Sequence, residues 1–258
     1  MLPIILAATR RVRAGLAPAC LLLAAALPAE AADTAWFTGA RTQDPSQDYV
    51  VEMGTDLSVD SHGSIFGSVN GTMAPAGKLS EDGARIRLEA SAGRYRYHSD
   101  TVGPVNATQV QGAALLGYSF VTAHASLSAF AGIDLQNNEL TPYDPGNKVS
   151  GASTGAKFVV EGNMRPTDKT MLAGYASYAT SFNTYYARLQ AGYRVMDRFY
   201  VGPEFGLLGD DFFSQWRIGA HLSGLAFGPV KLSASAGYLS DNKQGSGFYT
   251  TVDLRAGF

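Results

Sequence analysis

Side chains in residues 247–258 fall into two alternating rows. Phe248, Thr250, Val252, Leu254, Ala256 and Phe258 form one, and Tyr249, Thr251, Asp253, Arg255 and Gly257 form the other. A period of two with one apolar row predicts a strand, because successive Cβ atoms leave opposite faces of a sheet. The same alternation recurs upstream. Ile86, Leu88, Ala90 and Ala92 oppose Arg85, Arg87, Glu89 and Ser91, while Leu127, Ala129, Ala131, Ile133 and Leu135 oppose His124, Ser126, Ser128, Asp134 and Gln136. Tyr185, Ala187, Leu189, Ala191, Tyr193 and Val195 likewise oppose Tyr186, Arg188, Gln190 and Arg194. Further strands are predicted at 49–59, 65–73, 106–120, 152–161 and 170–180, around Val201, Trp216 and Leu232, with a short one at 35–41. That makes thirteen candidates. A bacterial barrel closes with an even number of strands and both ends in the periplasm, so about twelve are expected.

Two positions depart from the alternation. Phe130 stands in the polar row, as a space-filler in a narrow barrel or as a stacking surface. After Gly93 the rows exchange, placing Arg94 and Arg96 on the apolar side and Tyr95 and Tyr97 on the polar side. A bulge at Gly93 would restore the pattern and is the preferred expectation; the alternative has both arginines reaching lipid phosphates.

The N-terminus adds a compartment. Arg10, Arg11 and Arg13 precede an apolar run at 16–27 and the small-x-small triplet Ala29-Glu30-Ala31, which predicts a secretory signal over 1–31. Its removal takes with it the only cysteine, Cys20, and reduces 20 basic and 22 acidic residues to 17 and 21. Such a balance gives no basis for nucleic-acid binding. With glycines scattered through alternating segments, an exported chain without cysteine fits an outer-membrane barrel better than a secreted sandwich. The expected fold class is all-β: a transmembrane antiparallel β-barrel over 32–258, with its apolar row toward outer-membrane lipid and its insertion dependent on the barrel-assembly machinery. Aromatic girdles are expected from Tyr118 and Phe120 at one boundary and from Tyr185, Tyr238 and Phe248 at the other.

An outward apolar row leaves the charges inside. The lumen candidates are Arg85, Arg87, Glu89, Asp134, Lys157, Glu161, Arg188, Arg194, Glu204, Arg217, Lys231, Asp253 and Arg255. In about twelve strands they either line a narrow channel or pair across the lumen and seal it. Charge reversal at Arg188 or Arg217 would change ion selectivity in the open case. Four dispersed histidines lack metal-ligand spacing, and neither a phosphate loop nor a G-x-S-x-G or H-E-x-x-H motif occurs. No metal, cofactor or enzymatic activity is expected.

Several stretches carry a family resemblance: Gly93-Arg94-Tyr95-Arg96-Tyr97, Leu140-Thr141-Pro142-Tyr143-Asp144-Pro145, Ser181-Phe182-Asn183-Thr184-Tyr185-Tyr186-Ala187-Arg188 and Tyr200-Val201-Gly202-Pro203-Glu204. Together they resemble the cellulose biosynthesis protein BcsS family over almost the whole chain after the signal. The polar interruption between Val59 and Ile65 departs from the family's shorter opening. The resemblance implies an outer-membrane protein that assists secretion or surface organisation of a β-glucan, with cellulose or the cellulose synthase complex as partner. Phe130 and Tyr186 are then the candidate glycan-stacking rings. A small-solute channel and a sealed structural barrel are the alternatives.

Overall fold

The computed structural model describes residues 49–258 apart from 197 and 198. The signal segment and the 35–41 candidate lie outside the described residues. Twelve strands follow one another: β1 (Val51–Asp60), β2 (Ile65–Met73), β3 (Gly83–Ser99), β4 (Gly103–Val121), β5 (Ala125–Thr141), β6 (Gly151–Thr167), β7 (Thr170–Ala179), β8 (Thr184–Val195), β9 (Phe199–Gly209), β10 (Ser214–Phe227), β11 (Val230–Asp241) and β12 (Gly245–Gly257). Each pairs antiparallel with its neighbours in sequence, and β12 closes on β1 from Glu52 opposite Gly257 to Asp60 opposite Tyr249. The C-terminal Phe258 fastens this seam, its carbonyl accepting the N–H groups of Val50 and Val51 at 2.8 and 3.0 Å. Closure satisfies every ladder and leaves no edge, the condition for a sheet to cross lipid.

The outer face shows which solvent the wall is built for. Leu88, Leu116, Ile133 and Phe158 are between 51% and 68% exposed, and Leu189 and Ile218 extend the belt to the far side. A continuous apolar face of this kind is unstable in water and matched to acyl chains. Aromatic side chains mark its ends. Tyr118 packs on Phe120 at one boundary, with ring centroids 5.0 Å apart, and the series Trp216, Tyr238 and Phe248 marks the other at 5.5 and 6.4 Å.

Gly93 is not a bulge. The β2–β3 and β3–β4 ladders run through it without a shift, Phe66 lying opposite Gly93 and Gly93 opposite Gln109. Arg94 and Arg96 point outward, and Tyr95 and Tyr97 point into the lumen. The rows exchange meaning because β3 leaves the lipid at this height: its outer face turns polar and its inner face aromatic. The irregularities in register fall instead between Met164 and Thr167 and between Leu222 and Leu225.

Strand lengths divide the wall. The strands β3 to β6 have 17 to 19 residues, whereas β7 to β12 have 10 to 14. Outward Asn106, Thr108, Asn137 and Glu139 carry the long side above the apolar belt. The β5 strand therefore continues to Thr141, shortening the loop expected at 137–148, and β6 runs through most of the connector expected at 163–169. The alternation in both stretches is polar on polar, so period two gave no apolar row to read.

Candidate functional site

The lumen has two levels. On the periplasmic side it is filled. Leu115, Phe130 and Val159 form one buried cluster and Met171, Ala173 and Tyr200 another, with Tyr175 packed against both. Level with the first cluster lie paired charges, Arg87 standing opposite Leu115 in the β3–β4 ladder. Arg87 Nη1 reaches Glu161 Oε2 at 2.7 Å and its Nε reaches Glu89 Oε1 at 2.7 Å, while Lys157 Nζ closes on Glu89 Oε2 at 2.7 Å. The Arg87 guanidinium also lies 5.3 Å from the ring centre of Phe130 and 5.8 Å from that of Tyr175.

A second network occupies the opposite wall. Arg188 Nε donates to Glu204 Oε2 at 2.7 Å and its Nη1 to Asp253 Oδ1 at 3.1 Å. Glu204 also accepts from Gln190 Nε2 at 2.6 Å and from Tyr249 Oη at 3.0 Å. Both networks satisfy the requirement that a desolvated charge have a partner. In an open channel these inward groups would meet water. Instead Arg87 is 2% exposed, Glu161 1%, Glu204 5% and Phe130 4%.

The extracellular half is hollow, with a cavity of about 340 Å³. Its floor is the upper side of the two networks, and its walls include Phe66, Tyr95, Tyr186 and Arg217. Arg217 takes part in none of the ion pairs among the described residues. It donates to Gln215 Oε1 at 2.6 Å and Ser58 Oγ at 3.0 Å, 5.0 Å from the centre of the Tyr249 ring.

Three extracellular connections fold inward as a roof and meet at the top of β3. Asp144 Oδ2, on the β5–β6 loop, accepts from Tyr97 Oη at 2.9 Å, and Tyr97 Oη in turn accepts from Asn147 Nδ2 at 3.1 Å. Phe212, on the β9–β10 turn, crosses to Tyr97 with centroids 5.0 Å apart. Lys243, on the β11–β12 turn, places Nζ 3.4 Å from the centre of the Phe212 ring, and Gln244 Nε2 donates to the Arg96 carbonyl at 2.6 Å. Burial opposes the charge on Asp144, but the Gly146 N–H and the Tyr97 hydroxyl outweigh it and hold the carboxyl below its usual range. Burial prevails at Asp210, whose pKa is raised despite hydrogen bonds from the N–H groups of Phe212 and Phe213.

The residues singled out by sequence thus separate by height. Arg87, Glu89, Lys157, Arg188, Arg217, Asp253 and Arg255 border the cavity; Glu161 and Glu204 lie beneath it. Arg255 also pairs with Glu52 at 3.0 Å, and Asp134 accepts from Gln111 Nε2 at 2.7 Å. Arg85 is turned to the periplasmic connection, donating to the carbonyls of Ala84, Leu79 and Glu81. Arg194 Nε donates to Tyr200 Oη at 3.2 Å, and Lys231 is buried in β11 opposite Arg255. Of the two candidate stacking rings, Tyr186 borders the cavity and Phe130 is enclosed in the packed level. Tyr185, grouped by pattern with the outer girdle, instead lies half-buried against Gly209 and borders the cavity. Phe66, Tyr95, Tyr97 and Phe212 were missed. The exchange of rows after Gly93 is the signal that could have found the two tyrosines; Phe66 and Phe212 carry no comparable mark.

A closed, lipid-faced barrel with a polar interior places this chain among transmembrane barrels of the outer-membrane class. Residues 53–258 match the model of the family described as cellulose biosynthesis protein BcsS, and the chain belongs to that family. No curated protein matches its sequence. Among solved structures, the KdgM porin is similar at 11% identity and TM-score 0.46, covering 80% of this chain and 99% of that one. A deletion mutant of the monoaromatic hydrocarbon channel TodX gives 9% identity and TM-score 0.49, with 81% and 90% covered. The transport unit of the autotransporter AIDA-I from Escherichia coli gives 8% and 0.48, with 88% and 95% covered.

Proposed function

We propose that this protein serves cellulose production at the outer membrane as a surface organiser, receiving or holding the β-glucan on the extracellular side and not conducting it through the lumen. Family membership supplies the link to cellulose. The observation that carries the choice between export and organisation is the packed level: a polymer threading the barrel would have to displace Phe130, Leu115 and the Arg87–Glu161 pair, all nearly devoid of water contact. The hollow, roofed upper half faces the medium, where the finished polymer is found. No catalytic role is part of this reading.

The test is extracellular cellulose in a strain lacking the gene, beside its parent and a re-expressing strain, with the inner-membrane synthase level confirmed. Reduced or detached cellulose, restored by re-expression, is expected. Unchanged yield and distribution would remove the cellulose role. A purified barrel that conducts steadily in a planar bilayer, in a strain without a cellulose phenotype, would favour a small-solute channel.

A further inference from the structure

Phe66, Tyr95 and Tyr97 form a row of rings on the lumen wall, with centroids 6.3 and 6.2 Å apart and planes within 19° and 24° of parallel. A Cβ on Gly93 would fall inside the Phe66 ring, against Cγ, Cδ1 and Cε1. The ring therefore lies directly over that glycine and flat on the wall. The near-parallel Tyr95 continues the same surface, so the two present a platform of ring faces to the cavity. Such faces carry the negative side of the aromatic quadrupole and attract C–H groups. The pyranose ring of a β-linked glucan, with its hydroxyls equatorial and its C–H bonds axial, offers a matching face.

The polar surroundings suit a neutral ligand. Six carboxylates and seven basic side chains border the cavity, and Arg87, Lys157 and Arg188 are already ion-paired with Glu89, Asp253 and, beneath the cavity, Glu161 and Glu204. On the same wall as the platform, the side-chain amides of Asn70, four residues along β2 from Phe66, and of Gln109, on β4 beside Gly93, line the cavity and make no hydrogen bond among the described residues, and each offers a donor beside an acceptor, as vicinal hydroxyls require. The paired wall is lower beside the platform. The β2–β3 ladder stops at Ile65 opposite Arg94, but β3 continues to Ser99, so the rim drops by roughly 16 Å along the strand over the β1–β2 turn. A volume of about 340 Å³ is at the lower end for small-molecule sites and fits a short saccharide stretch, not a folded polymer.

We infer that this cavity binds a short segment or chain end of a neutral β-linked glucan, stacked on Phe66 and Tyr95 and hydrogen-bonded by Asn70, Gln109 and Arg217. The inference rests on the proposed function and names its ligand and site. Its test uses the full-length barrel purified in detergent micelles and titrated calorimetrically with cellohexaose, with maltohexaose as the linkage control. Saturable binding of cellohexaose is expected, with tenfold or greater weakening by Tyr95→Ala, retention by Tyr95→Phe and a smaller loss with Gln109→Leu. Folding of each variant is checked by heat-modifiable gel migration, and Gln109→Leu decides if Tyr95→Ala does not fold. No binding to the wild-type protein, equal binding of maltohexaose, or wild-type affinity in the decisive variant would each overturn the site. Cellulose loss in the deletion strain without cellohexaose binding sinks this inference alone; tight binding without a cellulose phenotype sinks only the proposed function.

Discussion

The two halves of the lumen are built from the same strands and the same inward row, yet one is solid and the other hollow. Below, inward side chains reach partners on non-adjacent strands: Arg87 on β3 meets Glu161 on β6, and Arg188 on β8 meets Asp253 on β12. Above, the ring faces lie flat on their own wall, as with Phe66 over Gly93. The contacts that cross the space there come from loops, chiefly Phe212 and Gln244. A barrel of this size is near the limit at which side chains alone fill the interior. Which half stays open then depends on whether opposing residues are long enough and complementary enough to meet.

The comparison breaks most severely if the solid half loses a charge partner. Arg87→Ala leaves Glu89 and Glu161 without their shared cation, and should lower stability in lipid vesicles by about 3–5 kcal/mol, read from urea unfolding. Leu115→Ala removes packing against Phe130 and Val159. It should cost about 2–4 kcal/mol and, on a planar bilayer, turn a non-conducting wild type into a barrel with detectable current. Steady conductance by the wild type would show that the lower half is not the barrier. In the hollow half, Tyr97→Phe deletes the hydroxyl shared by Asp144 and Asn147. Global stability should fall by only about 1 kcal/mol, while amide exchange in the 142–150 loop accelerates.

The smallest effect expected is that of mild acid on the roof. Because the Asp144 pKa is lower in the folded than in the unfolded protein, its stabilisation is complete above the unfolded value near ~3.9 and is lost only as pH falls through the lower folded value. Asp210 has the opposite sign: its raised pKa favours the fold in the protonated form, so its contribution declines as pH rises through the folded value. Protection factors of the 142–150 loop, taken relative to the intrinsic exchange rate at each pH, should show no loss from Asp144 between pH 8 and pH 5. A fall in those protection factors over that interval would show that another group governs the roof.

Much of this was legible beforehand. The strand around Ile65 was read with its final bounds, and the inward placement of Arg87, Glu161, Arg188, Glu204 and Asp253 followed from alternation alone. Period two reports which face a side chain occupies, and one buried or lipid-facing row is enough to reveal it. It failed at Gly93 because the environment outside the wall changed there, from lipid to water, while the geometry did not. The expected bulge was an attempt to keep one environment along a strand that crosses two.

By itself the sequence determined the wall: an even-numbered antiparallel barrel, apolar outside and charged inside, since each of these depends on local alternation and on the need to pair every backbone group. Only the tertiary structure decided the interior. Whether Arg87 finds Glu161 or water, and whether Phe212 reaches Tyr97 across the mouth, depends on the distance between residues 74 and 115 positions apart in the chain. Barrel diameter, strand tilt and loop folding set those distances, and no local pattern encodes them.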